Sequence, residues 1–150
     1  MTEKEFNNSL MKTVQFSLAI SKVAVGKASN KNVKEFAGFE LEETTVITSV
    51  LKDLGTIIPE MDEEANASFT EIESNEAGIA FDKIYIQAQL KNHRFLRDFT
   101  EDYLKEVPTG NLDNEESNSK HVAMLALTLF NEHVAITERI NKELGNEENE

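Results

Sequence analysis

Three ionisable side chains interrupt the apolar faces of segments that have helical periodicity. Glu40 lies on such a face in the second segment, and His93 and His133 lie on the faces of two later ones. A buried carboxylate or imidazole must be paired, protonated or bound to a metal ion, because burial of an isolated charge is costly. Carboxylates and imidazoles are also common ligands of iron, manganese and zinc. These residues are therefore the first candidates for chemistry.

The number of available ligands decides what kind of metal site the chain could form. Bundles that hold two iron or manganese ions normally use four carboxylates and two histidines, which include Glu-x-x-His pairs. Neither His93 nor His133 has a glutamate three residues before it, whereas Glu40 is followed three residues later by Glu43. The predicted metal ligands are Glu40, Glu43, His93 and His133, which are too few for a complete two-metal site.

Two other interpretations of these residues stay open. In the simpler one, Glu40, His93 and His133 form a buried hydrogen-bonded cluster, together with Gln89, Asn92 or water, that stabilises one helix register. In the other, the cluster binds a single metal ion, which would require neutral imidazoles and would weaken in acid.

The elements that position these residues are predicted to be four long helices. Apolar residues recur at helical spacing over about 3–28, 32–55, 79–106 and 117–144, with a short helix around 65–74. Asn32 and Glu35 resemble a capping box at the start of the second helix. The long connection at 56–78 predicts an all-α, ferritin-like, up-down-down-up four-helix bundle with a crossover between its second and third helices. A simple up-down-up-down bundle is the main alternative.

Helix length places the candidates at one level of this bundle. With a rise of about 1.5 Å per residue, Glu40, His93 and His133 lie at a similar height, and Ser17 of the first helix lies near it. The first helix contributes no carboxylate there, because Glu3 and Glu5 stand more than ten residues before Ser17.

Further polar and aromatic residues receive structural interpretations. Asp82 is predicted to complement the dipole of the third helix in its first turn, and His121 is predicted to be a surface residue in the first turn of the fourth. Six phenylalanines are predicted to pack in the core: Phe36, Phe39, Phe81, Phe95, Phe99 and Phe130.

Composition excludes several function classes. The net charge of −13 repels phosphate backbones, so we expect no nucleic-acid partner. The absence of cysteine excludes thiol catalysis and thiolate metal sites, and no glycine-rich phosphate loop is present. No apolar run is long enough for a transmembrane segment, and the start lacks the pattern of a signal peptide. We expect one domain over 1–144 and an acidic disordered tail over 145–150.

Three runs resemble a known family. Residues 28–37, 81–93 and 129–134 are similar to the exported bacterial ferritin-like family with domain of unknown function 4142, whose members are often labelled outer membrane proteins. The resemblance implies a ferritin-like bundle, a periplasmic or envelope location, and no established reaction. Family members commonly have a glutamate at Ser17, an Asp-His pair at Glu43 and Thr44, and a proline near Thr128.

These departures favour a noncatalytic role, although the sequence does not decide whether the protein is an enzyme. We predict an envelope-associated or stress-associated structural or binding protein with a buried Glu/His layer and no resident cofactor. The alternative is a metal-binding carboxylate-bundle oxidase or ferroxidase that uses iron or manganese; zinc is a further candidate ion. A third hypothesis is that the bundle holds a small apolar ligand or a partner helix. No protein partner is identified, and a homodimer is left open.

Overall fold

The computed structural model describes residues 1–146, which form five α-helices and no strand. The helices are α1 (Glu3–Lys27), α2 (Lys31–Asp53), α3 (Glu63–Ser74), α4 (Ile79–Glu106) and α5 (Asn114–Glu143). The all-α prediction is confirmed, and each predicted helix end lies within three residues of the observed one. No helix of this range is both long and apolar enough to cross a membrane.

Side-chain caps set where the helices begin. Thr2 and Glu5 form a reciprocal capping box at α1, and Asn30 caps α2 by accepting hydrogen bonds from the backbone amides of Asn32 and Val33. The predicted cap at Asn32 is therefore wrong by two residues, because Asn32 already lies in the first turn of α2. Aspartates cap the two later helices in the same manner, Asp62 at α3 and Asp113 at α5.

The last described residues of the chain, Gly145 and Asn146, cap the C-terminal end of α5. Gly145 adopts a left-handed backbone conformation, with φ of 74°, which glycine accommodates without a steric penalty. The side chain of Asn146 then donates hydrogen bonds to the Lys83 carbonyl and to Asn141. Residues 147–150, the rest of the predicted tail, lie outside the described range, and the domain boundary at 144 stays a prediction.

Contacts between helix ends show which ends are neighbours. The start of α1 lies beside the end of α4 and the start of α5, while the start of α2 lies beside the start of α4 and the end of α5. The contacts are Met1 amino to Glu106 (3.3 Å), Asn7 to Ser119 (3.0 Å), Asn30 amide to Asp82 (2.7 Å) and Asn32 to Glu143 (2.9 Å). The four long helices therefore share one interior.

The interior consists of two apolar regions with a polar layer between them. One region contains Ile20, Phe36, Phe81, Ile86 and Ile140, and the other contains Phe6, Leu10, Leu51, Leu96 and Phe130. Between the two regions, each long helix contributes polar side chains that are almost completely buried: Ser17 and Ser21, Glu40 and Thr44, Gln89 and His93, and His133 and Thr137. The apolar regions stabilise the fold and shield this layer from water.

The predicted aromatic core is correct in part. Phe36, Phe81 and Phe130 are buried, but Phe39 and Phe95 are 53% and 51% exposed. A separation of two positions along a helix corresponds to a rotation of about 200°. Because His93 faces the interior, Phe95 points toward the opposite side of α4. Phe95 instead stacks on the partly buried Phe99, with 5.5 Å between the ring centroids.

The connection between α2 and α4 contains the predicted short helix, α3. It buries a single residue, Ile72, among its twelve. Lys27 of α1 donates hydrogen bonds to the carbonyls of Glu73 and Asn75, and Lys12 forms an ion pair with Asp62. Polar contacts thus hold the crossover to α1 at its two ends, and Ile72 and Phe69 pack against the first apolar region.

Candidate functional site

The polar layer brings together the sequence-predicted site residues from four different helices. Ser17, Glu40, His93 and His133 come from α1, α2, α4 and α5, and none of them is more than 5% exposed. Helical spacing explains the arrangement, because these residues fall on the inward faces of their helices at the boundary between the two apolar regions. The prediction that they share one level is confirmed.

Potential ligand atoms of three residues converge in this layer. Glu40 Oε1 lies 3.1 Å from His93 Nε2, and Glu40 Oε2 lies 2.8 Å from His133 Nδ1. The two imidazoles approach each other to 3.2 Å, between His133 Nδ1 and His93 Nε2. With one potential ligand atom taken from each of the three residues, all three atoms lie within 4.8 Å of one another. Within residues 1–146, no other group of three or more histidine, aspartate or glutamate residues meets this condition.

Each of the three residues also contacts an oxygen atom of a residue outside the three-residue group. His93 Nδ1 lies 2.8 Å from the Gln89 carbonyl, and since a carbonyl oxygen can only accept, Nδ1 carries a proton and Nε2 faces Glu40. The Ser17 hydroxyl donates to Glu40 Oε1 over 2.6 Å. His133 Nε2 lies 2.7 Å from Glu43 Oε2. The orientation of both rings is therefore set by oxygen atoms outside the three-residue group.

Glu43 contacts this group but lies on its far side. Its carboxylate faces Nε2 of His133, whereas Glu40 faces Nδ1 of the same ring. The Glu43 side chain is 30% exposed, in contrast to 2% for Glu40. The structure thus brings all four predicted ligands together, while the role of Glu43 as a ligand stays a prediction.

The charges of the layer are strongly coupled. Burial would raise the pKa of Glu40, but the neighbouring imidazoles of His93 and His133 outweigh it and hold that pKa well below its usual range. Burial would lower the pKa of His133, but Glu40 and Glu43 outweigh it and raise that pKa to about 9. At neutral pH and without a metal ion, a carboxylate and an imidazolium therefore share the centre of the layer.

Two buried carboxylate oxygens beside His133 are left without an aligned donor. Glu40 Oε2 and Glu43 Oε2 accept no hydrogen bond of good geometry, although each lies less than 3 Å from a nitrogen of His133. His133 Nδ1 is aligned instead with His93 Nε2, at 3.2 Å. These oxygens require compensation by positive charge, because an unsatisfied buried carboxylate oxygen is costly.

A hydrogen-bond network, of which only Gln89 was among the predicted members of the cluster, extends the layer toward the first apolar region. Gln89 Nε2 donates to Ser21 Oγ over 3.0 Å and to Tyr85 Oη over 3.2 Å, and its Oε1 lies 2.9 Å from Ser17 Oγ. Burial raises the pKa of the Tyr85 phenol above its usual value. The sequence signal for this network is the four-residue spacing of Ser17 and Ser21 on α1 and of Tyr85 and Gln89 on α4.

Asp82 has a larger structural role than predicted. It lies in the first turn of α4, as expected for a dipole partner, but it is completely buried. Its carboxylate accepts hydrogen bonds from the amide and hydroxyl of Ser29 and from the amide of Asn30. His121 is exposed as predicted, but it lies beyond the first turn of α5, which begins at Asn114.

The space beside the layer is small. A cavity of about 10 Å³ touches Glu40, Glu43 and His133 and is otherwise lined by residues that include Ile47, Leu129 and Phe130. This volume is close to the minimum for one water molecule. It is far below the roughly 300 Å³ of a typical small-molecule pocket, so the hypothesis of an apolar ligand at this level of the bundle gains no support.

Comparison with known proteins identifies one family. A family described as domain of unknown function (DUF4142) matches residues 1–103, from α1 through most of α4. The match includes Ser17, Glu40, Glu43 and His93, whereas the predicted resemblance at 129–134, which includes His133, falls outside it. No curated protein and no solved structure matches the chain.

Proposed function

The chain belongs to the family described as domain of unknown function (DUF4142), and because this description names no activity, we propose a function from the chain's own side chains. The protein is a noncatalytic binding protein that holds one divalent transition-metal ion between Glu40, His93 and His133. The observation that carries this proposal is the convergence of three ligand atoms, from three helices, within 4.8 Å.

The separations between these atoms suit a metal ion. Bonds of about 2.0–2.1 Å place neighbouring ligand atoms roughly 2.9 Å apart around an octahedral ion and roughly 3.4 Å apart around a tetrahedral one. The two histidine nitrogens are 3.2 Å apart, and each lies close to a different carboxylate oxygen of Glu40, at 2.8 Å for His133 Nδ1 and 3.1 Å for His93 Nε2. An ion between these residues would also bind the Glu40 oxygen, Oε2, that accepts no aligned hydrogen bond.

The ligand types indicate which ions would bind. Two imidazoles and one carboxylate suit zinc and iron(II), whereas magnesium and calcium prefer sites made of oxygen ligands. Zinc commonly accepts three protein ligands and a water molecule. We expect zinc to bind more tightly than iron(II) or manganese.

The count of ligands supports one ion and a noncatalytic role. Helix α1 contributes Ser17 to the layer where a carboxylate would be needed, and residues 1–146 contain no second group of converging ligands. An oxidase or ferroxidase of the carboxylate-bundle type uses two ions. The adjacent cavity also leaves no space for an organic substrate.

We propose in addition that the bundle is ferritin-like. The start of α1 lies beside the end of α4 and the start of α5, which supports an α1 antiparallel to α4 and parallel to α5. The start of α2 lies beside the start of α4 and the end of α5. These neighbours support an up-down-down-up order of the four long helices. A periplasmic or envelope location rests on the family resemblance alone.

Elemental analysis tests the proposed metal site. Untagged protein is incubated separately with zinc, manganese and, without oxygen, iron(II), then dialysed exhaustively and analysed for bound metal. We expect about one zinc ion per chain in the wild type and in His121→Ala, whose substitution is at an exposed site. His93→Ala and His133→Ala should each retain less than a tenth of that amount. Metal-free wild-type protein, or full retention in both variants, contradicts the proposal.

A further inference from the structure

Two carboxylates contact opposite nitrogens of one imidazole in the polar layer. His133 Nδ1 lies 2.8 Å from Glu40, on the side of His93, and His133 Nε2 lies 2.7 Å from Glu43, whose side chain is 30% exposed. The two ring nitrogens diverge, so an ion bound at Nδ1 with Glu40 and His93 lies across the ring from Glu43. Glu43 can therefore act on that ion through His133.

The other imidazole of the site has an equivalent arrangement. His93 directs Nε2 toward Glu40 and donates its Nδ1 proton to the Gln89 carbonyl over 2.8 Å. Histidine ligands of metal ions almost always donate their second ring N–H to a carboxylate or a carbonyl, which fixes the tautomer and orients the ring. For His93, the Gln89 carbonyl is this acceptor. For His133, the Glu43 carboxylate lies beside Nε2, in the position of the corresponding acceptor.

On the basis of the proposed metal function, we propose that Glu43 is a positioning residue of the metal centre. Glu43 orients the His133 ring and holds the proton on Nε2 of that ring, so that Nδ1 binds the ion. Glu43 is thus not a ligand, in contrast to the sequence-based prediction. The three-residue spacing of Glu40 and Glu43 explains how two carboxylates of α2 contact both ring nitrogens of His133. Residues three apart lie on neighbouring positions of a helix face, so the two carboxylates can flank a single ring from α5.

The unsatisfied oxygen of Glu43 supports this role. Glu43 Oε2 is buried and accepts no aligned hydrogen bond, although Nε2 of His133 lies 2.7 Å away. Nδ1 of the same ring is aligned with His93 Nε2. A small rotation of the ring that turns Nδ1 toward an ion would also change the direction of the Nε2 proton, and the Glu43 oxygen is available to accept it.

Zinc titrations of four variants test the proposal. Zinc affinity is measured by competition with a chromophoric chelator for the wild type, Glu43→Ala, Glu43→Gln and Glu40→Gln, with Glu42→Gln as the control at an exposed site next to Glu43. We expect Glu43→Ala to bind one zinc ion with about 10-fold to 100-fold weaker affinity, because that is the usual effect of removing an outer-shell partner. Glu43→Gln should fall between Glu43→Ala and the wild type, since an amide oxygen still accepts. Glu42→Gln should match the wild type, and Glu40→Gln should lose retention of zinc through dialysis.

Cobalt(II) spectra and circular dichroism separate positioning from a general loss of structure. The Glu43 variants should keep the helical signal of the wild type and still bind one cobalt ion, with a shifted visible absorption band because the orientation of His133 changes. Affinities of both Glu43 variants within threefold of the wild type overturn the inference while leaving the metal site intact. Loss of zinc from Glu43→Gln equal to that of Glu40→Gln overturns it in favour of Glu43 as a ligand. A wild-type protein that binds no zinc overturns the proposed function and this inference with it.

Discussion

His133 contacts three other ionisable side chains of the polar layer. It faces Glu40 and His93 through one nitrogen and Glu43 through the other, and it is 5% exposed. A histidine in this position compensates two carboxylates, of which Glu40 is buried and cannot be solvated. The layer therefore depends on positive charge, supplied by the imidazolium proton or, in the proposed function, by a metal ion.

Replacement of His133 by alanine should destabilise the metal-free protein. Loss of the imidazole leaves the charge of Glu40 less compensated and opens a cavity beside Phe36, whose ring lies 5.3 Å from that of His133. We expect a decrease of about 1 to 3 kcal/mol in the free energy of unfolding, measured with urea. His121→Ala should change it by less than about 0.5 kcal/mol. An equally small effect of His133→Ala would show that His133 is not a buried partner.

The stability of the metal-free protein should depend on pH through the same residue. The pKa of His133 is raised from 6.5 to about 9, so its contribution is complete below pH 6.5 and is lost as the pH rises through 9. The pKa of Glu40 is lowered, so its contribution is complete above pH 4.5 and is lost in stronger acid. Stability in EDTA should be greatest between these limits and fall by on the order of 2 kcal/mol toward pH 9. His133→Gln should lack this decrease in urea denaturation; the same decrease in the variant would assign it to other groups.

At the scale of the elements, buried polar contacts fix how the helices meet. Asn30 caps α2, and Asp82 in the first turn of α4 accepts hydrogen bonds from Ser29 and Asn30 in the loop that joins α1 to α2. This contact sets the start of α2 beside the start of α4. Because Glu40 and His93 lie on these two helices, their relative height depends on the Asp82 contact.

Removal of the Asp82 carboxylate should weaken the fold and the alignment of the layer. Asp82→Ala leaves the amides of Ser29 and Asn30 without their acceptor, and hydrogen bonds to a charged group contribute about 1.5 to 3 kcal/mol each. We expect the urea-unfolding free energy to fall by about 2 to 4 kcal/mol. Asp98→Ala, at an exposed site on the same helix, is the matched control and should have little effect. Equal stability of the two variants would contradict the anchoring role.

At the scale of the whole molecule, the polar layer divides the core and joins its helices. The apolar regions on either side bury residues from all four long helices. A metal ion at the centre would connect α2, α4 and α5, which are far apart in the chain. Binding to the folded chain alone would then stabilise the whole bundle, since the separated ligands of the unfolded chain offer no preformed site.

Zinc should therefore raise the unfolding free energy of the protein. At a free zinc concentration 100 times the dissociation constant, we expect stabilisation of about 2.7 kcal/mol. Thermal unfolding followed by circular dichroism would measure it, and a domain of this size should show an increase of several degrees in Tm. Magnesium at the same concentration should have no effect, and zinc should leave the Tm of His93→Ala unchanged. A zinc-induced increase in that variant would place the stabilising ion elsewhere on the protein.

The sequence by itself determined the helices and the candidates for chemistry. Apolar periodicity defined each helix to within three residues, because burial of one face imposes the 3.6-residue repeat. The same repeat selected Glu40, His93 and His133, since an ionisable residue on a buried face contrasts with its apolar neighbours. The inward positions of Ser17 and Thr44 followed from the same repeat.

Tertiary structure alone decided how these residues meet. Periodicity does not tell which side of a broad apolar stripe faces the interior, so Phe39 and Phe95 were wrongly assigned to the core. It also could not show that Asp82 anchors a loop more than fifty residues away, or that Glu43 contacts the nitrogen of His133 opposite to Glu40. Such contacts depend on the rotation and height of each helix relative to its neighbours, which packing between distant segments determines and local sequence does not.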